Sequence, residues 1–305
     1  MNKKIVAFGE LIWDVFQDGK KLGGAPVNLA YRANTLGDSG CLLSRIGEDD
    51  LGREALEMLK KLAVTDKYVQ MDPVFPTGYA SVRIGSEGRP DYLIAPDLAF
   101  DHIEITPEIL DLAGSADCIC FGTLVQRSGI SKNTLRELIA AAPQALKFLD
   151  LRLRKNCYSA KNIEDSLKAA NMLRVKESEL YLIKNELGLF EYDSRGLAQE
   201  LISEYDLDIV LVTRSKAGAF FLDRDGNYME DKGYVINLVD TVGSGVAFSA
   251  GFLHVYLEEK DPEAALRFGN AAGALTAETH GATIPISKNQ ILDLINTGIR
   301  RERKA

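Results

Sequence analysis

Compact apolar runs alternate with amphipathic stretches along most of this chain. Ile5 to Gly9, Leu42 to Ile46, Cys118 to Phe121, Leu146 to Leu149, Met172 to Val175 and Ile209 to Thr213 read as short strands buried on both faces. Between them, helical spacing predicts helices over about 27–36, 51–62, 107–113, 130–141, 162–169 and 195–203. Strands separated by helices argue for an α/β fold with a mainly parallel sheet covered on both faces. Polar residues that follow the strand ends then gather in one crevice, which would bring Asp150, Glu179 and the loop after Thr213 to one place.

Two stretches break this rhythm. Residues 11–22 contain the turn Asp18-Gly19. Residues 77–94 read as a hairpin turning at Ser86-Glu87-Gly88, with Tyr79, Val82, Ile84, Tyr92 and Ile94 at its apolar positions. No helix intervenes, so these strands form either a small projecting sheet or an antiparallel extension of the main one. The last third is helical: Val246 to Glu259, Pro262 to about Thr279, and Ile286 to about Thr297, with Gly281 and Gly298 as stops. Small residues such as Ala264, Gly269, Ala272 and Gly273 allow a neighbour to approach the middle helix closely. No repeat or low-complexity linker divides the chain, so residues 1–305 read as a single domain.

With 46% hydrophobic residues the chain can bury a large core, which sets aside disorder and a disulfide scaffold. Cys41, Cys118, Cys120 and Cys157 show no metal-ligand spacing; Cys118 and Cys120 read as buried small hydrophobes. A net charge of −8 argues against nucleic acid as a partner, and the basic cluster from Arg300 to Lys304 reads as a solvated tail. Neither a signal-peptide pattern nor a membrane-length apolar run is present, so a cytoplasmic protein with no membrane partner is expected.

Candidate chemistry begins at Gly243-Ser244-Gly245, just before a predicted helix. Two glycines leave backbone amides exposed at the positive helix end, a suitable cradle for a phosphoryl group, although a ligand-free turn would look the same. The segment is not a P-loop, because no Gly-Lys-Ser/Thr ending follows. Gly23-Gly24-Ala25-Pro26-Val27-Asn28 opens another helix. Asn28 offers a donor and acceptors to a sugar hydroxyl, or it simply braces the turn. Asp14 would accept hydroxyl hydrogens from a polyol; an ordinary turn aspartate is the plainer reading. His102, His254 and His280 form no nucleophile pattern, and His254 reads as a partly buried structural residue.

These segments together resemble the ribokinase-like (PfkB) carbohydrate kinases, most closely the bacterial fructokinases. The resemblance runs through Phe8-Gly9-Glu10 to Asp14, the Gly23–Ala30 segment, Arg45-Ile46-Gly47-Glu48-Asp49, Phe75-Pro76-Thr77-Gly78 and Phe121-Gly122-Thr123-Leu124. It continues through the Asp240 loop, Asn270–Ala274 and Gly281-Ala282, and so covers nearly the whole chain. It implies a three-layer αβα sandwich with a small β-sheet lid, matching segments 11–22 and 77–94, through which many relatives dimerise. It also implies transfer of the ATP γ-phosphoryl group to a sugar hydroxymethyl group, with Mg²⁺ and often a monovalent cation such as K⁺. Asp14, Gly24 and Asn28 are carried over as sugar contacts. Gly243, Ser244 and Gly245 are carried over as the anion hole. Lys176, Thr213, Ser215, Gly218 and Asn270 fall near the nucleotide, and Glu179 at the metal, reached through water.

The departures matter as much. Where the family loop ends in the aspartate that acts as general base, this chain has Val246. Losing a positioned base costs about 10²–10⁴-fold in rate. The family Asp-x-Asn-x-Arg segment is Asp150-Leu151-Arg152-Leu153-Arg154, its Asn-x-x-Glu is Lys176-Glu177-Ser178-Glu179, and its Thr-x-Gly is Thr213-Arg214-Ser215. The new cations either add charge around phosphates, or displace the metal and pair with Asp150 or Glu179. A fructokinase-like enzyme with impaired chemistry is therefore the leading expectation. A catalytically silent sugar-binding protein and a nucleoside kinase are the alternatives.

Overall fold

The structure, a computed structural model, describes residues 2–17, 19–84 and 90–301, with no side chains described for 82–84, 90 and 91. The expectations placed on Asp18, on the Val82 and Ile84 side chains, on Ser86-Glu87-Gly88 and on the 302–304 part of the basic tail lie outside the described residues.

Among those residues the main sheet has nine strands. They are β1 (Lys4–Phe8), β4 (Ser39–Gly47), β5 (Val69–Asp72), β8 (Cys118–Phe121), β9 (Leu146–Asp150), β10 (Met172–Lys176), β11 (Ile209–Thr213), β12 (Ala219–Asp223) and β13 (Tyr228–Asp231). Their spatial order is β13-β12-β11-β10-β9-β8-β1-β4-β5. All neighbours run parallel except β11–β12 and β12–β13, which pair antiparallel at one edge. The chain builds outward from β1 in one direction through β4 and β5, then in the other from β8 onward. The switch between β1 and β8 opens a crevice at the strand carboxyl ends.

Alternation within the strands assigns the two faces. Ile5, Ala7, Leu42, Phe148 and Leu211 join a core with α1 (Ala25–Leu36), α2 (Asp50–Lys61), α8 (Ser244–Glu259), α9 (Pro262–Ala277) and α10 (Lys288–Thr297). Val6, Phe8, Leu43, Leu149 and Val210 face the opposite core. That core is closed by α3 (Pro107–Gly114), α4 (Gly129–Ala140), α5 (Ala160–Lys168), α6 (Glu177–Leu187) and α7 (Ser194–Tyr205). The period of two along each strand thus produces the three layers. Side chains start many helices where the sequence supplies acceptors: Asp49, Thr106, Ser159, Asp193, Asp261 and Ser287 each accept a first-turn amide.

The irregular segments form their own sheet. β2 (Ile12–Phe16) pairs antiparallel with β3 (Gly19–Gly23) and parallel with β6 (Gly78–Ile84), which pairs antiparallel with β7 (Pro90–Ile94). This four-stranded sheet is separate from the main one, which decides against an extension of it. Ile12, Ala80, Tyr92 and Ile94 pack inward toward Phe100 and Leu124. Tyr79, one of the hairpin's apolar positions, is exposed, as are Val15 and Leu93. The reason is the pleat: Trp13, Val15 and Tyr79 share one side of the sheet and Ile12, Asp14 and Ala80 the other.

Candidate functional site

A cleft of about 470 Å³, counting its open mouth, lies at the crevice between β1 and β8. Phe8 and Glu10 enter it from the end of β1, and Cys120 to Leu124 from the end of β8. Asp150, Arg152 and Arg154 follow β9, Ala25, Pro26 and Leu29 come from α1, and Val246 comes from α8.

The turn into α1 is built tightly around this cleft. Gly24 has φ +107°, and a Cβ there would sit 2.3 Å from the Glu10 carbonyl oxygen, so a side chain is excluded by both conformation and space. The Ala25 amide donates to Glu10 Oε1 at 3.1 Å. Pro26 occupies the first turn, where its missing N–H costs nothing. Asn28 follows on the same helix, and its Oδ1 is buried without a hydrogen-bond partner among the described residues. An orphaned acceptor of this kind suits a ligand hydroxyl. Asp14, on β2, lies against Gly23, and burial lifts its carboxyl to about 6, with Arg154 opposing and Glu10 adding to the shift. Burial likewise raises the Glu10 carboxyl, against its own backbone amide, the Ala25 amide, Arg154 and Arg152. Arg154 in turn stacks over the Tyr92 ring of the lid at 4.7 Å.

Beneath Val246 is a charged cluster. Asp150 is 5% exposed, and three side chains donate to it: Arg174 Nη1 to Oδ1 at 3.1 Å, Arg152 Nη2 to Oδ2 at 2.8 Å, and Ser249 Oγ to Oδ2 at 2.9 Å. Burial works to raise the Asp150 carboxyl, but Arg152 and Arg174 hold it below the usual carboxylate range. Arg152 reaches back to Asp150 from a left-handed backbone, φ +46°, rare for a residue with a side chain. Burial opposes its charge, and pairing with Asp150 still raises its guanidinium. Arg174 is 2% exposed, and its Nη2 also donates to Thr213 Oγ1 at 2.7 Å. Its guanidinium lies so close to Gly245 that a Cβ there would meet Nη2 at 2.7 Å.

Glu179 is buried at the start of α6. Its Oε1 accepts from the Leu153 amide at 3.1 Å and its Oε2 from the Lys176 amide at 3.2 Å. Lys176 extends toward solvent, yet desolvation, together with Arg152 and Arg174, holds its ammonium below the usual lysine value despite Glu179.

The residues expected around the nucleotide follow the same sheet edge outward. Thr213 ends β11, and Ser215 and Gly218 bracket the turn into β12, where Arg214 pairs with Glu230 at 2.9 Å rather than with Asp150 or Glu179. Asn270 of α9 donates to Asp231 Oδ1 at 2.6 Å and lies beyond that turn. Gly243 caps α8, no side chain caps its first turn, and the Ser244 hydroxyl donates to the Thr241 carbonyl at 2.8 Å. Val246 lines the cleft at the place of the expected base and has no proton-accepting atom.

This donor set does not fit a divalent cation. Asp150 and Glu179 have each oxygen committed to a donor, and two guanidiniums and an ammonium surround them. Among the described residues no group of three or more His, Cys, Asp or Glu side chains is arranged to hold a metal.

Sequence reasoning did not single out Arg174, Ser249 or Arg32. The signal for Arg174 is a lone cation inside the apolar strand Met172–Val175, and for Ser249 a hydroxyl on a helix buried almost all round. Arg32, 1% exposed on α1, donates to the Ala282 carbonyl at 3.1 Å. His254, outside the cleft, has Nδ1 2.8 Å from Asp38 Oδ2 and Nε2 3.1 Å from Lys288 Nζ. The four cysteines are free and buried, and burial pushes the Cys118 and Cys120 thiols well up.

Residues 1–289 match the family described as pfkB family carbohydrate kinase. Probable fructokinase-6, chloroplastic, of Arabidopsis thaliana is 27% identical over 91% of this chain and 78% of its own length. The crystal structure of fructokinase with bound ATP from Xylella fastidiosa superposes with a TM-score of 0.83 at 20% identity, covering 97% of this chain and 99% of that one. A double mutant of fructokinase from Vibrio cholerae O395, in its fructose-, ADP- and potassium-ion-bound form, gives 0.81 at 18% identity, covering 96% and 98%.

Proposed function

The chain belongs to the pfkB family of carbohydrate kinases, and we propose that it phosphorylates a sugar hydroxymethyl group from ATP, fructokinase-like in substrate and slow in its chemistry. One observation carries the reading: the cleft that brings together Glu10, Asp150, Arg152 and Arg154 reaches Val246 in the first turn of α8, and Arg154 stacks on Tyr92 of the β-sheet lid. The sugar lies between Asp14, the Gly24 turn and Asn28, whose unpartnered Oδ1 accepts a hydroxyl hydrogen. The transferring phosphoryl group sits at Gly243, Ser244 and Gly245, where backbone amides stabilise its charge. The nucleotide extends toward Lys176, Thr213, Ser215, Gly218 and Asn270. ATP and fructose are ligands that the similar fructokinases carry, and potassium accompanies one of them.

Val246 leaves the acceptor hydroxyl without a carboxylate base, so its proton leaves to water or to another carboxylate. Phosphoryl transfer depends mainly on positioning and charge stabilisation, which is why turnover survives at a reduced rate. The test is sugar-phosphate formation read by mass spectrometry, with ATP and K⁺, both with and without Mg²⁺, and a sugar panel led by fructose. Product from at least one sugar is expected. A folded protein that yields none, while a related active kinase does so in parallel, overturns the reading.

A second reading, a silent sugar-binding protein on the kinase fold, draws on the buried apolar Val246 and on the guanidinium packed against Gly245. Sugar binding by calorimetry without turnover would select it. A nucleoside acceptor is the remaining alternative, and the same panel includes one.

A further inference from the structure

This inference rests on the kinase reading and concerns what neutralises the nucleotide's phosphates. Among the described residues the first turn of α8 has no side-chain cap, and with the Ser244 amide donating to the Thr241 carbonyl at 3.3 Å it is the Gly245 and Val246 amides and the positive helix end that are left for a ligand. Directly against that turn lies Arg174, 98% buried by its 2% exposure. Its two terminal nitrogens are held by Asp150 and Thr213, while its Nε has no partner among the described residues. A guanidinium packed on the positive end of a helix is a like-charge contact, and an anion between them relieves it. Asp150 offsets part of the charge, but it is shared with Arg152, whose Nε is also buried and unpartnered. Lys176 ends the strand that carries Arg174. Arg152 and Lys176 face Asp150 and Glu179, Arg174 is paired with Asp150, and Arg152 also acts on the Glu10 carboxyl across the cleft. Each oxygen of the two carboxylates that would steady a divalent ion already accepts at least one hydrogen bond.

We infer that Arg152, Arg174 and Lys176, with the first turn of α8, hold the nucleotide's phosphates by themselves, so that this protein binds metal-free ATP. Guanidinium and ammonium groups donate charge-assisted hydrogen bonds to phosphate oxygens. A divalent ion brought in on the nucleotide would meet cations where it needs oxygen ligands.

The test is ATP binding by isothermal titration calorimetry to the full chain, once with EDTA and once with excess Mg²⁺. Binding in EDTA at least as tight as with Mg²⁺ is the expected result. Lys176→Asn, chosen because this side chain is exposed and its loss spares the core, should weaken metal-free ATP about tenfold and make Mg²⁺ favourable. Circular dichroism and a thermal melt establish that the variant is folded. Binding only in the presence of Mg²⁺, or a Lys176→Asn variant that binds metal-free ATP as well as the parent, overturns the inference and leaves the kinase reading standing. Binding in neither condition overturns both.

Discussion

Val246→Asp tests the chemistry most directly. Val246 is 3% exposed in the first turn of α8 and lines the cleft. Removing its buried methyl groups costs about 1.5–3 kcal/mol. A carboxylate at a partly buried helix N-terminus gains up to about 2 kcal/mol from the positive helix end, and Arg152 lines the same cleft. Burying the carboxylate also costs several kcal/mol in desolvation, which the helix end and Arg152 offset in part, so the variant should be less stable than the parent and is assayed on protein shown by a thermal melt to be folded. The rate should change far more. A positioned base contributes about 10²–10⁴-fold, equivalent to about 2.7–5.4 kcal/mol of barrier. Initial rates of sugar-phosphate formation, on protein shown by calorimetry to bind sugar and nucleotide as the parent does, provide the measure. A folded, ligand-binding variant that turns over no faster would refute the reasoning, because a missing base would then not be what limits the site.

Other consequences follow from the same geometry. Asp150→Asn should destabilise the fold by about 3–5 kcal/mol in denaturant titrations, because it leaves Arg152 and Arg174 buried without their carboxylate. Asn28→Ala should leave the melting temperature unchanged and weaken sugar binding about tenfold by calorimetry, since the acceptor it removes has no partner among the described residues. The raised Asp14 carboxyl keeps a proton in the native state that the unfolded chain has already released. Its contribution therefore stabilises the fold below about pH 4, is lost as pH rises toward about 6, and is absent above that. Asp14→Asn should remove this slope from unfolding curves collected across that window. The exposed Val15, Tyr79 and Leu93 on the lid predict a dimer by light scattering, and Leu93→Glu should give the monomer mass.

The layered architecture was legible because strands buried on both faces leave short apolar runs, and helices between them keep a period near 3.6. The antiparallel edge was not. Phe220 and Leu222 of β12 are as apolar as a parallel strand, and only the short turn before Tyr228 betrays the reversal. Helix Glu177–Leu187 was also missed; its start coincides with a segment read for its charges rather than its spacing. At the site, the glycines, Asp14 and Asn28 could be named because loop chemistry is local. The pairing of Asp150 with Arg174 could not, since it depends on β9 and β10 lying side by side, and the contact with Gly245 on α8 folding over both.

The packing of α1 on α8 sets a condition on how this protein is made. Val27, Leu29, Ala30 and Ala33 of α1 belong to the same buried core as Ala247, Phe248 and Ala250 of α8. The ribosome delivers the second helix about two hundred residues after the first, a delay of about 10–40 s at ordinary elongation rates. Throughout that interval the amino-terminal strands can pair while the apolar side of α1 stays uncovered. A chain released before α8 emerges would carry that bare face into the cell, so the nascent protein is a natural client for a chaperone until its last third is synthesised.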